Sequence, residues 1–131
     1  MLVIDASVMI NALADDGEAG RAARKAIMTD PAWIAPAHMP SEVAHVVTRL
    51  VRQERITHTR GWSAFEALTR AEIDLADVRP LLPRIWELRS NVRAYDAACV
   101  ALAEAEGCTL ITGDAKLVSL PVVVDCDIRL V

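Results

Sequence analysis

The chain lacks the sequence features of membrane and secreted proteins. Hydrophobic residues make up 53% of its 131 residues, yet no apolar run approaches the roughly 18 residues that a membrane span requires. The N-terminus has neither the basic region nor the cleavage site of a signal peptide, since Asp5 interrupts the first apolar run. We therefore expect a soluble, cytoplasmic protein.

Paired cysteines and an excess of positive charge are missing as well. Cys99, Cys108 and Cys126 form no C-x-x-C pair and are odd in number, so we interpret them as buried hydrophobic residues and expect no disulfide framework. The formal net charge of −4 argues against a protein that coats nucleic acid. It does not exclude a nuclease, because carboxylates that cluster around metal ions make a chain acidic.

The chain has no internal repeat or linker, and we expect residues 1–131 to form a single domain. Short apolar runs alternate with amphipathic segments, a pattern typical of an α/β fold in which helices cover both faces of a parallel sheet. The predicted strands are 1–4, 33–35, 73–78, 109–112 and 122–124. The predicted helices are 6–13, a segment from 19 that ends before 31, one from 39 or 40 to 50, 59–70, one from 80 through 86, 94–106, which we expect to be buried and to end at Gly107, and a turn at 114–118.

Acidic residues stand at the ends of two predicted strands. Asp5 follows the first strand, and Asp114 follows the strand that leads into ITGD. In open α/β sheets, ligands bind beyond the carboxyl ends of the strands. Glu42 and Asp96 lie in the first turns of apolar helices, in PSEVAHVV and AYDAACVALA. A carboxylate in such a segment requires a positive partner, because an unpaired buried charge is costly.

These four acids have two interpretations. Each one alone fits a helix N-terminus, where a carboxylate caps N–H groups or complements the helix dipole and stabilises by about 0.3–1 kcal/mol. If the helix starts converge at one end of the sheet, four carboxylates meet there, and they cannot all stay ionised without a compensating charge. A divalent cation supplies that charge, and oxygen ligands suit Mg²⁺ or Mn²⁺. Hydrolysis of a phosphodiester by an activated water is the chemistry that such an ion supports.

The chain resembles the PIN-domain family in three successive segments, which are VIDASVMINAL, PAHMPSEVAHVV and RAYDAACVALAEAEGCTLITGD with the AKL that follows. The resemblance covers the whole chain and is strongest to the VapC-type ribonuclease toxins of bacterial toxin–antitoxin pairs. It implies a PIN-like three-layer α/β/α sandwich with a central parallel sheet. It also implies a Mg²⁺-dependent endoribonuclease, with Mn²⁺ as a substitute, that serves as the toxin of a type II toxin–antitoxin system.

The resemblance further implies partners and site residues. The partners are an RNA substrate, a second copy of the chain in a homodimer, and a cognate antitoxin that blocks the active site. The catalytic and metal-binding acids of the family are matched by Asp5, Glu42, Asp96 and Asp114. Hydroxyl residues that support this site are matched by Ser7 and Thr112.

Two residues depart from the family pattern. His45 stands where asparagine is common, and we interpret it as a surface residue or as one that supports the site indirectly. Arg93 stands where a serine or threonine cap is common. It either weakens the helix cap or adds a contact to a phosphate.

Two rows of arginine residues also have alternative interpretations. The arginines form either solvated helix faces or rims that bind phosphate. One row is Arg49, Arg52, Arg55 and Arg60, and the other is Arg84, Arg89 and Arg93.

We expect helix 59–70 to turn Trp62, Phe65 and Leu68 inward. Trp62 and Trp86 are expected to be buried, in the core or at a contact with a second copy or the antitoxin.

A non-catalytic signalling module of the receiver type is the alternative function. It too is a small α/β domain with Mg²⁺ bound near strand ends, but it needs an adjacent acidic pair after the first strand and a lysine after a late strand. Here the first strand supplies Asp5 alone, and Lys116 lies two residues past Asp114. We therefore favour a nuclease whose attacking water leaves 5′-phosphate and 3′-hydroxyl ends.

Overall fold

Five parallel strands and seven helices build the molecule, and the computed structural model describes all residues 1–131. The strands are β1 (Leu2–Ile4), β2 (Trp33–Pro36), β3 (Asp74–Ala76), β4 (Thr109–Thr112) and β5 (Ile128–Leu130). The helices are α1 (Ala6–Ala14), α2 (Glu18–Ile27), α3 (Met39–Arg52), α4 (His58–Arg70), α5 (Leu82–Leu88), α6 (Ala94–Glu106) and α7 (Ala115–Val118), with a 3-10 turn at Arg79–Leu81. None of these helices combines the length and the apolar character that crossing a membrane requires.

The central strand β1 is buried on both faces, which explains why its sequence is an uninterrupted apolar run. Leu2 and Ile4 pack into a core layer formed by residues of α1, α2, α3 and α4. Val3 packs on the opposite side of the sheet with residues of α5, α6 and α7. The predicted three-layer α/β/α sandwich with a central parallel sheet is therefore confirmed.

Helix α6 lies against the sheet through small residues. All residues from Ala97 to Ala103 are buried, and alanine occupies four of these positions, which lets the helix approach the strands closely. Gly107 ends the helix with a φ of 62°, in the left-handed region that glycine adopts without a steric penalty. The predicted burial of this helix and its predicted end are both confirmed.

The last strand lies later in the chain than predicted. Residues 122–124 form a loop, in which Val123 is 89% exposed and its carbonyl accepts a hydrogen bond from Arg84. The strand is β5, where Ile128 pairs with Leu110 of β4. Three adjacent valines satisfy the local pattern of a strand, but pairing with β4 depends on the path of the chain after α7, which the local pattern does not contain.

Two tryptophans that were predicted to be buried are exposed in the chain. Trp62 on α4 is 65% exposed, and Trp86 on α5 is 66% exposed. Helix α4 packs on the core through Ala64, with Phe65 and Leu68 partly buried. Both helices belong to outer layers, where only one face meets the core, and the tryptophans lie on the other face.

The strand order excludes the receiver alternative. The sheet has the order β3-β2-β1-β4-β5, so that β1 lies between β2 and β4. Receiver domains have the order 2-1-3-4-5, in which strand 1 lies between strands 2 and 3.

Candidate active site

The sheet has a topological switch point between β1 and β4. The strands β2 and β3 lie on one side of this point, and β5 lies on the other. Ligands of open α/β sheets bind at such a point, outside the carboxyl ends of the strands. Asp5 follows β1 directly, Thr112 is the last residue of β4, and Asp114 comes two residues later. The two predicted aspartates therefore lie at the same edge, beside the switch point.

Asp5 is a buried carboxylate that two hydroxyl groups hold in place. Its Oδ2 accepts hydrogen bonds from Ser7 Oγ at 2.6 Å and from Thr112 Oγ1 at 2.7 Å. Each hydroxyl is itself fixed, because Ser7 Oγ accepts from the Gly113 N–H and Thr112 Oγ1 accepts from the Asp114 N–H, both at 3.0 Å. The second oxygen of Asp5, Oδ1, accepts no hydrogen bond from the chain and is not fully buried. The network thus orients one carboxylate and leaves one of its oxygens available.

Helix capping accounts for only one of the four acids. Asp114 Oδ1 accepts a hydrogen bond from the Lys116 N–H at 2.9 Å and caps α7. Asp5 stands at the N-cap of α1 but makes no side-chain capping bond. Glu42 and Asp96 lie in the first turns of α3 and α6, and no side-chain cap holds either helix start. Side-chain capping therefore does not explain three of the acids, although Glu42 and Asp96 still lie where a carboxylate complements the helix dipole.

The carboxylates affect one another electrostatically. Burial raises the pKa of the Glu42 carboxyl, and the negative charges of Asp5 and Asp96 raise it further. Burial also raises the pKa of Asp96, with contributions from Asp5 and, more weakly, from Asp114. The positive charge of Arg93 opposes both shifts. All four acids thus contribute to one region of negative potential.

The acids are close enough to repel but are not gathered around a common point. No three Asp, Glu, His or Cys side chains are placed so that they would hold a metal ion as they stand. Arg93 Nε lies 3.5 Å from Asp96 Oδ2 and supplies part of the compensating charge. The possible ligands are carboxylate oxygens, and each negative carboxylate makes ionisation of the others less favourable. Such a set still suits a hard divalent cation.

A cleft beside Glu42 contains two residues that were not predicted to belong to the site. His38 and Tyr95 line it, with their ring centroids 4.8 Å apart, and His38 Nε2 lies 3.9 Å from Glu42 Oε2. His45 lines the same cleft and is exposed, in agreement with its predicted surface position. The one sequence signal for Tyr95 is its place directly before Asp96.

The two predicted rows of arginine do not form continuous phosphate-binding rims. Arg84 donates two hydrogen bonds to Glu104, at 2.8 and 3.0 Å, so it belongs to a structural ion pair and not to a phosphate rim. Arg60 is likewise paired, with its Nη2 2.9 Å from Asp16 Oδ1. The second row is therefore reduced to Arg89 and Arg93.

The raised pKa of Glu42 predicts a pH-dependent gain of stability on neutralising this residue. The folded state binds a proton at Glu42 more readily than the unfolded state, so ionisation lowers the free energy of unfolding at any pH above the raised pKa. We expect Glu42→Gln to be more stable than the native chain at pH 7.5, with the difference shrinking as the pH falls toward the ordinary value of 4.5. Urea unfolding at several pH values measures this.

Glu104→Gln is the matched control for that measurement. The hydrogen bonds from Arg84 lower the pKa of Glu104, so its ionised form contributes stability above the ordinary value of 4.5 that is lost as the pH falls through the lowered pKa. Glu104→Gln should therefore destabilise the chain at neutral pH, the opposite sign to Glu42→Gln. Equal signs in the two variants would contradict the electrostatic description of Glu42.

Comparison with known proteins gives consistent sequence matches. Residues 2–122 match the family model of the PIN domain. The chain is 38% identical over 117 residues to the VapC ribonuclease Mb0985 of Mycobacterium bovis, which covers 89% of this chain and 88% of the relative. It is 36% identical over 134 residues to ribonuclease VapC1 of Mycobacterium tuberculosis, which covers 98% of this chain and 96% of the relative.

Two solved structures share the fold. VapC20 of Mycobacterium tuberculosis, described as a toxin that cleaves the sarcin–ricin loop, superposes with a TM-score of 0.66 at 18% identity and covers 95% of this chain and 99% of that one. VapBC2 of Rickettsia felis, bound to a DNA fragment from its promoter, gives a TM-score of 0.67 at 13% identity and covers 98% and 97%. At these identities the likeness extends to the fold.

Proposed function

The chain belongs to the VapC ribonucleases of the PIN-domain family, and from this membership we propose that it is a metal-dependent endoribonuclease that hydrolyses RNA phosphodiester bonds. The observation that carries the proposal is Asp5, a buried carboxylate that two hydroxyl groups orient at the switch point of the sheet. Glu42 and Asp96 add to the negative potential there, since the charge of Asp5 raises the pKa of both carboxyls.

The donor set fits Mg²⁺, with Mn²⁺ as a substitute. Asp5 would offer Oδ1, since Oδ2 is occupied by Ser7 and Thr112. Asp114 would offer Oδ2, because Oδ1 caps α7. When bound, the ion supplies the positive charge that activates an attacking water and offsets charge on the phosphate. Glu42 and Asp96 would complete the acidic set, and its mutual repulsion favours an occupant of positive charge.

The residues of the chain define the rest of the reaction. Ser7 and Thr112 fix Asp5 so that it does not have to reorient during catalysis. The attacking group is water and not the ribose 2′-hydroxyl, so the products would carry 5′-phosphate and 3′-hydroxyl ends. Asp5, Glu42, Asp96 and Asp114 are the proposed catalytic and metal-binding residues, and Ser7 and Thr112 are the proposed supporting residues.

We also propose that the chain is the toxin of a type II toxin–antitoxin pair and acts on RNA in the cytoplasm. The relatives named VapC support this role, and the VapBC2 structure of Rickettsia felis supports an antitoxin partner. The antitoxin would insert a positive side chain among the acids, and this charge would compensate the carboxylates as a metal ion does. A homodimer is the proposed assembly, and light scattering of the purified chain measures it.

Cleavage of RNA by the purified chain tests the function directly. We expect discrete cuts in total cellular RNA with Mg²⁺, cuts also with Mn²⁺, and none with EDTA, because the acids repel a phosphate unless a cation compensates them. Mapping of the new ends should find 5′-phosphates.

Two results would contradict the proposal. Cuts that persist in EDTA would exclude the metal, and ends with 2′,3′-cyclic phosphate would exclude water as the nucleophile. Absence of cuts in all cellular RNA, for a folded chain shown by calorimetry to bind Mg²⁺, would refute the nuclease itself.

A further inference from the structure

An apolar cleft with two positive charges lies on the outer face of α5 and the segment that follows it. The cleft has a volume of about 620 Å³, within the range of ligand-binding clefts. Trp86, Arg89 and Arg93 line it together with apolar residues, and no acidic residue does so. Its character is therefore aromatic and cationic, in a chain whose net charge is −4.

The tryptophan and one arginine of this cleft form a fixed stack. The guanidinium carbon of Arg89 lies 4.1 Å from the centroid of the Trp86 ring. Arg89 Nη1 also donates a hydrogen bond to the Trp86 carbonyl at 2.8 Å, which holds the guanidinium over the ring. Arg89 pairs with no carboxylate, and Trp86 remains 66% exposed. Both a flat aromatic surface and an uncompensated charge are thus presented to a ligand.

Arg93 connects this cleft to the acids. It lines the cleft of Trp86 and also a second cleft, which contains Asp96 and Asp114. Its side chain is 84% exposed although Nε lies 3.5 Å from Asp96. Asp96 is only 13% exposed, but the separation of 3.5 Å is long for a charge-assisted hydrogen bond. The exposed guanidinium of Arg93 therefore keeps N–H groups free for an anion such as a phosphate.

We propose that Trp86, Arg89 and Arg93 form a path along which single-stranded RNA enters the acid cluster. The inference rests on the proposed function and adds the residues that hold the substrate. Arg93 would bind the phosphate next to the acids, and the Trp86–Arg89 stack would bind a neighbouring base. Single-stranded RNA is recognised in this manner, by bases stacked on aromatic rings or guanidinium planes and by phosphates on basic side chains.

The other exposed tryptophan lacks these properties. The cleft of Trp62 has one arginine among its lining residues, Arg52, and it shares no residue with the clefts that contain Asp96 and Asp114. Trp62 therefore provides a matched control, since its exposure of 65% equals that of Trp86 within one percentage point.

RNA binding by a variant that does not cleave RNA tests the path. Asp5→Asn serves as the parent, in Mg²⁺, and fluorescence anisotropy of a labelled single-stranded RNA of about 12 nucleotides gives the Kd at several salt concentrations. We expect Trp86→Ala to raise the Kd about tenfold and Trp86→Phe to retain most of the affinity. Arg93→Ala should raise the Kd and lower the slope of log Kd against log salt by about 0.7, whereas Arg93→Lys should keep the slope. Arg70, at the end of α4, is the control for Arg93, since its side chain is 74% exposed and lies 3.4 Å from a carboxylate, that of Glu66. Trp62→Ala and Arg70→Ala should bind as the parent does.

The outcomes separate the path from the function on which it rests. If Trp86→Ala and Arg93→Ala bind RNA as the parent does, the path is overturned even though the native chain cleaves RNA. If these variants instead lower the mass found by light scattering while the affinity for RNA is unchanged, the face is an interface between copies of the chain, which also overturns the path. A native chain that neither cleaves nor binds RNA refutes the proposed function, and the path with it.

Discussion

Asp96→Asn is expected to lower the rate of RNA cleavage by about two orders of magnitude or more while raising the free energy of unfolding at neutral pH. The loss of activity follows because the substitution removes one of the four proposed ligand carboxylates. The gain of stability follows because burial and the charge of Asp5 raise the pKa of Asp96, so that its ionised form is unfavourable in the folded chain. Few substitutions outside an active site would lower the cleavage rate and raise the free energy of unfolding together.

Initial cleavage rates in Mg²⁺ and urea unfolding midpoints without metal provide the two measurements. Asp125→Asn is the control, since it makes the same chemical change at an exposed aspartate of the 121–127 loop. It should leave both the rate and the midpoint close to those of the native chain. An Asp96→Asn variant that keeps its activity would remove Asp96 from the site, and one that loses activity by unfolding would remove the electrostatic explanation.

The same variant should respond differently to Mg²⁺. A ligand that binds only the folded state stabilises it in proportion to the logarithm of its concentration above the Kd. The native chain should therefore gain thermal stability as Mg²⁺ is added, whereas Asp96→Asn should gain less. The repulsion among the acids explains both results, because it destabilises the chain without metal and provides the favourable energy that binds the ion.

Those parts of the fold that local pattern determines could be predicted from the sequence. The strands β1 and β4 are apolar runs that are too short to form helices. Helix α6 is a longer apolar segment that ends at Gly107. The acids Asp5 and Asp114 could be placed because each follows such a strand. Glu42 and Asp96 were predicted as site residues from the reverse signal, a charge inside an otherwise apolar helix.

The remaining features depend on contacts between distant segments. The valines at 122–124 resemble a strand locally, but the segment that pairs with β4 is Ile128–Leu130, and its position depends on the path that the chain takes after α7. Arg84 resembles a member of a basic row until the fold brings Glu104, twenty residues away, to within 2.8 Å. Trp86 resembles a core residue by its type, and only the packing of α5 shows that it lies on the outer face.

The fixation of Asp5 is a further feature that sequence spacing does not reveal. Ser7 is local, two residues from Asp5, but Thr112 is 107 residues away and reaches the same oxygen because β1 and β4 are neighbours in the sheet. Thr112 is completely buried. Its hydroxyl donates to Asp5 and accepts from the Asp114 N–H, so it links two of the four proposed ligands.

Thr112→Val is expected to lower the free energy of unfolding by about 1–3 kcal/mol and the rate of RNA cleavage about ten- to a hundredfold. Valine has nearly the same shape, so the core stays filled, but Asp5 loses one of its two donors and the Asp114 N–H loses its acceptor. Asp5 Oδ2 keeps the hydrogen bond from Ser7, so the cost comes from one lost hydrogen bond to a charged group and from the partly buried Asp114 N–H, about 1–3 kcal/mol in all. Both aspartates would also lose one of the contacts that position them.

Thr112→Ser separates the hydroxyl from the methyl group. Serine keeps both hydrogen bonds and removes one buried methyl, which should cost about 1 kcal/mol and leave the cleavage rate within a few fold of the native value. Urea unfolding and initial rates in saturating Mg²⁺ measure both variants. If serine were as damaging as valine, the methyl contact and not the hydroxyl would be the important part of Thr112. If valine were harmless, the orientation of Asp5 by Thr112 would have no part in catalysis, and Ser7 alone would suffice to hold the carboxylate.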